Sequence, residues 1–496
     1  MQETNQNKDK NSARKFEIAI IGSGFAGICM GIKLREAGIT DFVILEKADE
    51  IGGTWRDNTY PGAACDVSSH LYSFSFELNP KWKRMFSGQQ EIFEYLKHCI
   101  KKYDLLKHIR FNAAVMGGKY EEESGIWLVD IANQSPVECR FWINGMGPLN
   151  RAVTPDIPGK ESFKGAAFHS SSWNHDVDLK DKKVAVVGTG ASAIQIVPAI
   201  APMAKQLHLF QRTPAWIMPK HDREMLLLEQ VLFRKMPFIQ RLYRNVIYGI
   251  NELTAIAMVY KPRLIKFLEK FAIRNMRKQV KDPELRKKLE PKYSFGCKRV
   301  LLSNDYYPAL TRDNVEVITD SIASIYENGL KTDKNESIDV DAIVYCTGFM
   351  ASEYPKYFKV FGKNGLELGK YWQDGPEAYM GTTVNGFPNL YFIIGPNTGL
   401  GHNSMVFMIE AQVNYIMDAI KKARRKKVKA MEVKAEVQQK FNENIQTKLQ
   451  STIWNSGCMS WYMTSSGKNT SIWPGFTFEF WNKSKKIKDS DYLWEK

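Results

Sequence analysis

Lys15-Phe-Glu-Ile-Ala-Ile-Ile21 runs directly into Gly22-Ser-Gly24-Phe-Ala-Gly27, and this junction decides the fold. The apolar run is short and nearly continuous, as a buried parallel strand requires. The glycines then allow a tight turn, and Ile28-Cys-Met-Gly-Ile-Lys-Leu-Arg-Glu-Ala37 continues at helical period to Gly38. Strand, turn and helix in this order let backbone NH groups approach a pyrophosphate at the positive end of a helix. A second strand, Phe42-Val-Ile-Leu-Glu46, ends in a carboxylate about twenty residues beyond the turn, where it can accept hydrogen bonds from a ribose 2'-hydroxyl. A carboxylate there repels a 2'-phosphate, so this unit suits FAD or NAD.

The pattern occurs a second time. Lys183-Val-Ala-Val-Val187 precedes Gly188-Thr-Gly190-Ala-Ser-Ala193, and Ala193-Ile-Gln-Ile-Val197 starts another helix. The strand that follows, Gln206-Leu-His-Leu-Phe-Gln211, lacks the terminal acid. Arg212 and Thr213 stand there instead, a cation and a hydroxyl suited to a 2'-phosphate, so NADPH is favoured over NADH. Gly188, Thr189, Gly190 and Ser192 thus line a second cradle, as Gly22, Gly24, Gly27 and Glu46 line the first.

A chain of 496 residues predicts on the order of three domains. Hydrophobic residues at 44% and charged residues at 25% are those of an ordinary globular protein, not of a disordered or fibrous one. The seven cysteines are scattered, with no CxxC pair, so no disulfide framework and a reduced cytoplasmic setting are expected. Residues Met1 to Ser12 lack the apolar core of a signal peptide and read as a disordered tail. The excess of 69 basic over 54 acidic residues, +15, suits a protein that binds two polyphosphate cofactors, and no nucleic-acid-binding module accompanies it. No metal site is expected.

Between Glu224 and about Leu289 the apolar residues recur at helical spacing among basic ones, which predicts a helical insertion. Leu226, Leu227, Leu228, Phe233, Val246, Ile250 and Leu253 belong to this pattern. Its most apolar run, Val246 to Tyr260, holds Asn251 and Glu252 and is too short to span a bilayer. Packing of this lobe over the cofactor cleft is the favoured reading, ahead of contact with a membrane surface.

Phe163, Gly165, His169 and Trp173 stand at the spacing FxGxxxHxxxW shortly before Gly188. This stretch resembles the signature of Baeyer-Villiger monooxygenases, flavoproteins that insert oxygen beside a ketone carbonyl. Asn174 departs from it, since the family usually places Pro or Asp there. Gly52-Gly53-Thr54-Trp55 resembles the family's flavin-contacting loop, and Tyr60-Pro-Gly-Ala-Ala-Cys-Asp66 its active-site loop. Lys298-Arg299 is similar to the paired basic residues after the helical insertion, and Asp341 to Phe349 and Gly395 to His402 are similar to its returning strand and second flavin loop.

The resemblance implies FAD and NADPH as cofactors, O2 and a small-molecule ketone as reactants, and oxygen transfer through a C4a-peroxyflavin. It gives Arg299 the role of a fixed cation beside the reacting oxygen, oriented by Asp66. A guanidinium stays protonated at any working pH and so fits that role. It also implies that Lys298 joins Arg212 and Thr213 on the 2'-phosphate, that Thr54 and Trp55 contact the flavin, and that Trp461 contacts the nicotinamide cofactor. Read without the family, Trp461 is as readily a core residue, and His169 is a hydrogen-bonded linker histidine with no chemical step. A flavin monooxygenase acting on nitrogen or sulfur is the alternative, although it usually carries Tyr or Phe where Trp173 stands. A flavin disulfide reductase needs the cysteine pair that this chain lacks, and a non-catalytic flavin-binding protein needs neither Asp66 nor Arg299.

The expected fold is α/β, with two Rossmann-like dinucleotide-binding domains and a helical insertion. After a tail over 1–14, the FAD domain spans 15–148 and 378–496. The NADPH domain spans 149–217 and 298–377, and the insertion 218–297.

Overall fold

The computed structural model describes residues 14–351, 358–458 and 460–496. β1 (Arg14–Ile21), α1 (Phe25–Glu36) and β2 (Phe42–Leu45) open the chain, followed by α2 (Thr54–Asp57), α3 (Gln89–Lys102), β3 (Ile109–Arg110), β4 (Val115–Glu121), β5 (Ile126–Ile131) and β6 (Val137–Asn144). β1 lies between β2 and β6 and runs parallel to both. Ile18 and Ile20 enter one core with Ile28 and Ile32 of α1, whereas Ala19 and Ile21 enter another with Trp127 and Trp142. Burial on both faces is why the strand reads as continuously apolar rather than alternating.

The second sheet is built from β7 (Ala166–His169), β8 (Lys183–Val187), β9 (Gln206–Phe210), β12 (Val315–Ile318) and β16 (Ala342–Tyr345), with α4 (Ala193–Ile200) after β8. Its order is β12-β9-β8-β16-β7, all parallel. Between β9 and β12 the short strands β10 (Ile217–Met218) and β11 (Leu301–Leu302) pair with each other and close off the helices α5 (Leu227–Lys235), α6 (Pro237–Ala255), α7 (Ile265–Gln279) and α8 (Pro283–Leu289); α9 (Tyr306–Leu310) follows. An antiparallel sheet of β13 (Ile322–Tyr326), β14 (Gly329–Thr332) and β15 (Ser337–Asp339) precedes β16.

The chain then returns to the first sheet. β17 (Lys359–Phe361) pairs with β4, and after α10 (Leu368–Tyr371), β18 (Leu390–Phe392) pairs with β6. α11 (Met405–Lys426), β19 (Ala430–Val433), α12 (Ala435–Gln450), α13 (Thr477–Ser484) and β20 (Tyr492–Glu495) complete the fold. The expected return at residue 378 therefore lies too late. Phe358, Val360, Leu368 and Trp372 are buried in the same core as Ala19 and Trp142, so this stretch belongs with the first sheet.

Two further expectations are corrected. Cys297 and Cys458 form a disulfide across a sequence separation of 161, with Cα atoms 6.2 Å apart. Spacing rules detect cysteines that are near in sequence, whereas topology brings this pair together. Cys29, Cys65, Cys99, Cys139 and Cys346 are buried free thiols. The helical insertion does pack on both cores, through Ala255, Met258, Val259, Ile265 and Ala272 on the first and Met276, Val280 and Leu289 on the second, but not through most of the apolar residues singled out from its pattern. Phe233 is buried, but Leu226, Leu227, Leu228, Val246, Ile250 and Leu253 are exposed.

The reason lies in α6, where the side chains of Gln240, Arg244 and Glu252 point inward. Gln240 Nε2 donates to Asn79 O at 2.7 Å, and Arg244 Nη1 donates to His70 O at 2.6 Å and Ser73 O at 3.0 Å. The Glu252 carboxylate accepts from Asn403 Nδ2 at 2.6 Å and from Thr477 N and Oγ1 at 3.0 and 2.6 Å. Buried polar groups are tolerated only when bonded in this way. Among the described residues no helix is long and apolar enough to cross a membrane.

His70, beside this anchor, is pushed down to about 4 by burial, with the Arg244 charge adding to the effect. The unfolded chain takes up this proton near the ordinary histidine value of about 6.5, the folded chain only below about 4. Stability from neutral His70 is thus complete above the unfolded value and falls away as the pH drops towards the folded one, by at most about 1.4 kcal/mol per pH unit. Chemical denaturation across that window is expected to show a shallower decline for His70→Gln than for the parent chain.

Candidate active site

The turn between β1 and α1 is held by its own backbone and by Glu46. A side chain at Gly27 would put its Cβ 1.8 Å from Gly22 O, so this crossing of turn and helix requires glycine. Glu46 is buried at the end of β2. Its Oε2 accepts from Ser23 N at 2.9 Å and Ser23 Oγ at 2.7 Å, and its Oε1 from Ala48 N at 3.1 Å and Arg56 Nη1 at 2.9 Å. Burial opposes its ionisation, yet the bonds from Ser23, Ala48 and Arg56 outweigh that cost and hold its pKa below the ordinary value. The carboxylate assigned to a ribose from sequence is thus also the staple that joins the glycine turn to the loop before α2.

That loop backs onto the turn. Gly52 N donates to Ser23 O at 3.0 Å, and Gly53 lies against Gly24. Thr54 opens α2, and Trp55 is buried, with its Nε1 donating to Tyr72 OH at 3.2 Å. A Cβ on Gly24 would meet nothing nearer than 3.8 Å, and one on Gly190 nothing within 4 Å. The outer faces of both turns are therefore free of side chains, which is the space that the pyrophosphates of FAD and NADPH require.

At the second turn, Thr189 Oγ1 donates to Thr213 O at 2.7 Å, fastening the turn to the end of β9. Ser192 stands immediately before α4, its side chain making no capping bond. Arg212 is exposed beside this turn, and Lys298 is half-buried. Burial lowers the Lys298 pKa, and the nearby Arg212 charge lowers it further. Two cations drawn together across the fold, at a cost to one of them, form a place for a dianion.

The loop from Thr59 to Asp66 crosses from the first unit to the second. Tyr60 is buried in the core of the second sheet and donates its hydroxyl to Gln195 Oε1 at 3.0 Å. Burial pushes this phenol up to about 12, so it stays a donor. Gln195 Nε2 donates to Ala64 O at 2.9 Å, and Thr59 Oγ1 lies 2.8 Å from His175 Nε2. At the end of the loop Asp66 Oδ2 accepts from Arg299 Nη2 at 2.6 Å. Asp66 raises the Arg299 pKa above its ordinary value, which keeps the guanidinium charged.

The Cys297–Cys458 bridge ties the segment bearing Lys298 and Arg299, just before β11, to the segment that leads to Trp461 and Tyr462. Trp461 is 42% exposed and packs on Tyr462, 4.4 Å between ring centroids, so the reading of it as core is excluded. His169 ends β7 and caps the following turn, its Nδ1 accepting from Ser171 N at 3.1 Å. Its ring meets Phe349 edge-on at 5.5 Å, and Trp173 packs on Phe168. These motif residues therefore shape the turn that follows β7 and its packing against the end of β16.

Gln195 and Arg56 were not singled out from sequence. For Gln195 a signal existed: it is the one polar side chain in Ala193–Ile200, where Ala193, Ile194, Ile196 and Val197 are all buried. Replacing it by alanine removes the amide that holds Ala64 and Tyr60. Amide exchange across residues 60–66 is expected to rise about tenfold in Gln195→Ala, the equivalent of about one net hydrogen bond.

Comparisons with known proteins point to one family. A family model described as flavin-binding monooxygenase-like matches residues 15–361. A Baeyer-Villiger monooxygenase of Pseudomonas aeruginosa is 47% identical over 483 residues, 97% of this chain and 92% of its own length. One of Streptomyces coelicolor is 44% identical over 477 residues, 96% of this chain and 92% of its own. Among solved structures, the OTEMO complex with FAD and NADP superposes with a TM-score of 0.87 at 27% identity, covering 97% of this chain and 100% of that one.

Proposed function

The chain belongs to the flavin-binding monooxygenase-like family, and from that premise we infer that it is a Baeyer-Villiger monooxygenase. It uses NADPH and FAD to insert one atom of O2 beside the carbonyl of a small-molecule ketone, giving an ester or lactone and water. The observation that carries this reading is the Arg299–Asp66 bond, with Asp66 at the end of a loop that Tyr60 and Ala64 fasten to Gln195 of α4.

Bound FAD, reduced by NADPH, supplies the oxygen-activating chemistry. The chain supplies binding, orientation and charge. Gly22, Gly24 and Gly27 present the amides of the α1 terminus to the FAD pyrophosphate, with Glu46 fixing the turn and Thr54 and Trp55 the adjoining loop. Gly188, Thr189, Gly190 and Ser192 do the same for NADPH, and Arg212, Lys298 and Thr213 receive its 2'-phosphate. The exposed ring of Trp461 would contact the nicotinamide cofactor.

Arg299 places a permanent positive charge where negative charge develops on oxygen as the carbonyl is attacked. Asp66 acts through Arg299, limiting the directions its guanidinium can take, and Gln195 acts through the loop that carries Asp66.

Arg299→Ala is expected to leave flavin reduction by NADPH within about threefold of the parent rate while ester formation falls about 100- to 1,000-fold, the loss typical of one removed charge-stabilising donor. Stopped-flow flavin absorbance and product mass spectrometry check the two halves separately, and undiminished product would overturn the assignment. Lys298→Ala and Arg212→Ala are each expected to raise the KM for NADPH about 10- to 100-fold, the worth of a charge-assisted bond, and to change the KM for NADH little.

A further inference from the structure

We propose that the helical insertion docks on an anionic lipid surface through the outward face of α5 and α6. The inference goes beyond the ketone oxygenation above and does not depend on it.

The two faces of α6 carry the wrong residues for a helix facing water. Gln240, Arg244, Tyr248 and Glu252, each four residues apart, form the inner face, and all four are hydrogen-bonded to the protein. The opposite face carries Phe238, 62% exposed, Leu242, 61% exposed, and with them Val246, Ile250 and Leu253. Helices at a protein surface bury the apolar stripe and expose the polar one. Here the polar stripe is spent inside, so the apolar one cannot also turn inward. α5 adds Leu227, 78% exposed, and its neighbour Leu228, and α7 exposes Phe267 and Phe271 one turn apart. An apolar surface built at this cost calls for a partner that covers it.

Charge selects the partner. Between Leu227 and Gln279 the sequence has eleven Lys and Arg against three Asp and Glu. Two of those three acids are engaged: Glu252 is buried against Thr477 and Asn403, and Glu229 is paired with Arg223 at 2.6 Å. The cations around the apolar face are thus in excess. A second copy of the chain would bring like charge against like across the same face. A bilayer with anionic headgroups offers acyl chains to the leucines and phenylalanines and phosphate to the lysines and arginines. Among the described residues no helix can cross a membrane, so the contact is interfacial.

The test uses the full-length holoenzyme and vesicles of phosphatidylcholine with or without phosphatidylglycerol, separated by flotation. The parent protein is expected to float with the phosphatidylglycerol vesicles, less with phosphatidylcholine alone, and to be released by high salt. The triple variant Phe238→Ser, Leu242→Ser, Val246→Ser is expected to bind at least about tenfold more weakly, since three buried apolar side chains are lost. Its thermal unfolding midpoint and bound flavin content should match the parent, which verifies that it is folded. The double charge reversal Arg241→Glu, Lys266→Glu is expected to lose the preference for phosphatidylglycerol. A parent protein that floats with neither vesicle would overturn the proposal. So would a triple variant that binds like the parent, or self-association of the parent that the triple variant abolishes without any vesicle binding.

Discussion

One guanidinium-carboxylate bond, Arg299 to Asp66, depends on three separate parts of the chain being correctly placed. Asp66 comes from a loop that leaves the first sheet, and that loop is fastened to α4 of the second by Gln195. Arg299 arrives only after the helical insertion, with the Cys297–Cys458 bridge immediately before it. The position of the Arg299 charge therefore reports on how the two sheets sit against each other. A shift of α4 moves Ala64, and Ala64 is two residues from the carboxylate. The Gln195 bonds thus couple the position of α4 to that of Arg299.

Much of the fold was legible because its signals are local. Each glycine turn carries strand, turn and helix within one short stretch, so both dinucleotide units, Arg212, and the helical character of the insertion could be read directly. What the sequence concealed depends on partners far along the chain. Lys359–Phe361 is an unremarkable short strand until it meets β4, and Cys297 and Cys458 are two unrelated cysteines until the chain folds. Glu46 was read as a ribose acceptor because its position is diagnostic, but its bonds to Ser23 and Arg56 needed coordinates. His169 was read without a chemical step, and in the structure it caps a turn.

The helical insertion shows why periodicity alone misleads. An apolar stripe at helical spacing identifies a helix but does not say which side faces the protein. In α6 the deciding residues are Gln240, Arg244 and Glu252, whose bonds to Asn79, His70, Ser73, Thr477 and Asn403 fix the rotation of the helix. A buried arginine or glutamate without such partners would cost several kcal/mol, roughly the worth of burying two or three leucines, so satisfied polar groups set the orientation.

The interleaving of the two sheets also bears on how the chain is made. β5 covers the first half of one edge of β6, through Val137 and Cys139, and β18 covers the second half, through Trp142 to Asn144. β18 emerges from the ribosome only after the whole second sheet and the helical insertion have been synthesised. Until then the far end of β6 is an open, apolar strand edge, the kind of surface on which nascent chains pair wrongly. Completion of the first domain is thus deferred, and this strand edge is where a chaperone has most to protect during translation.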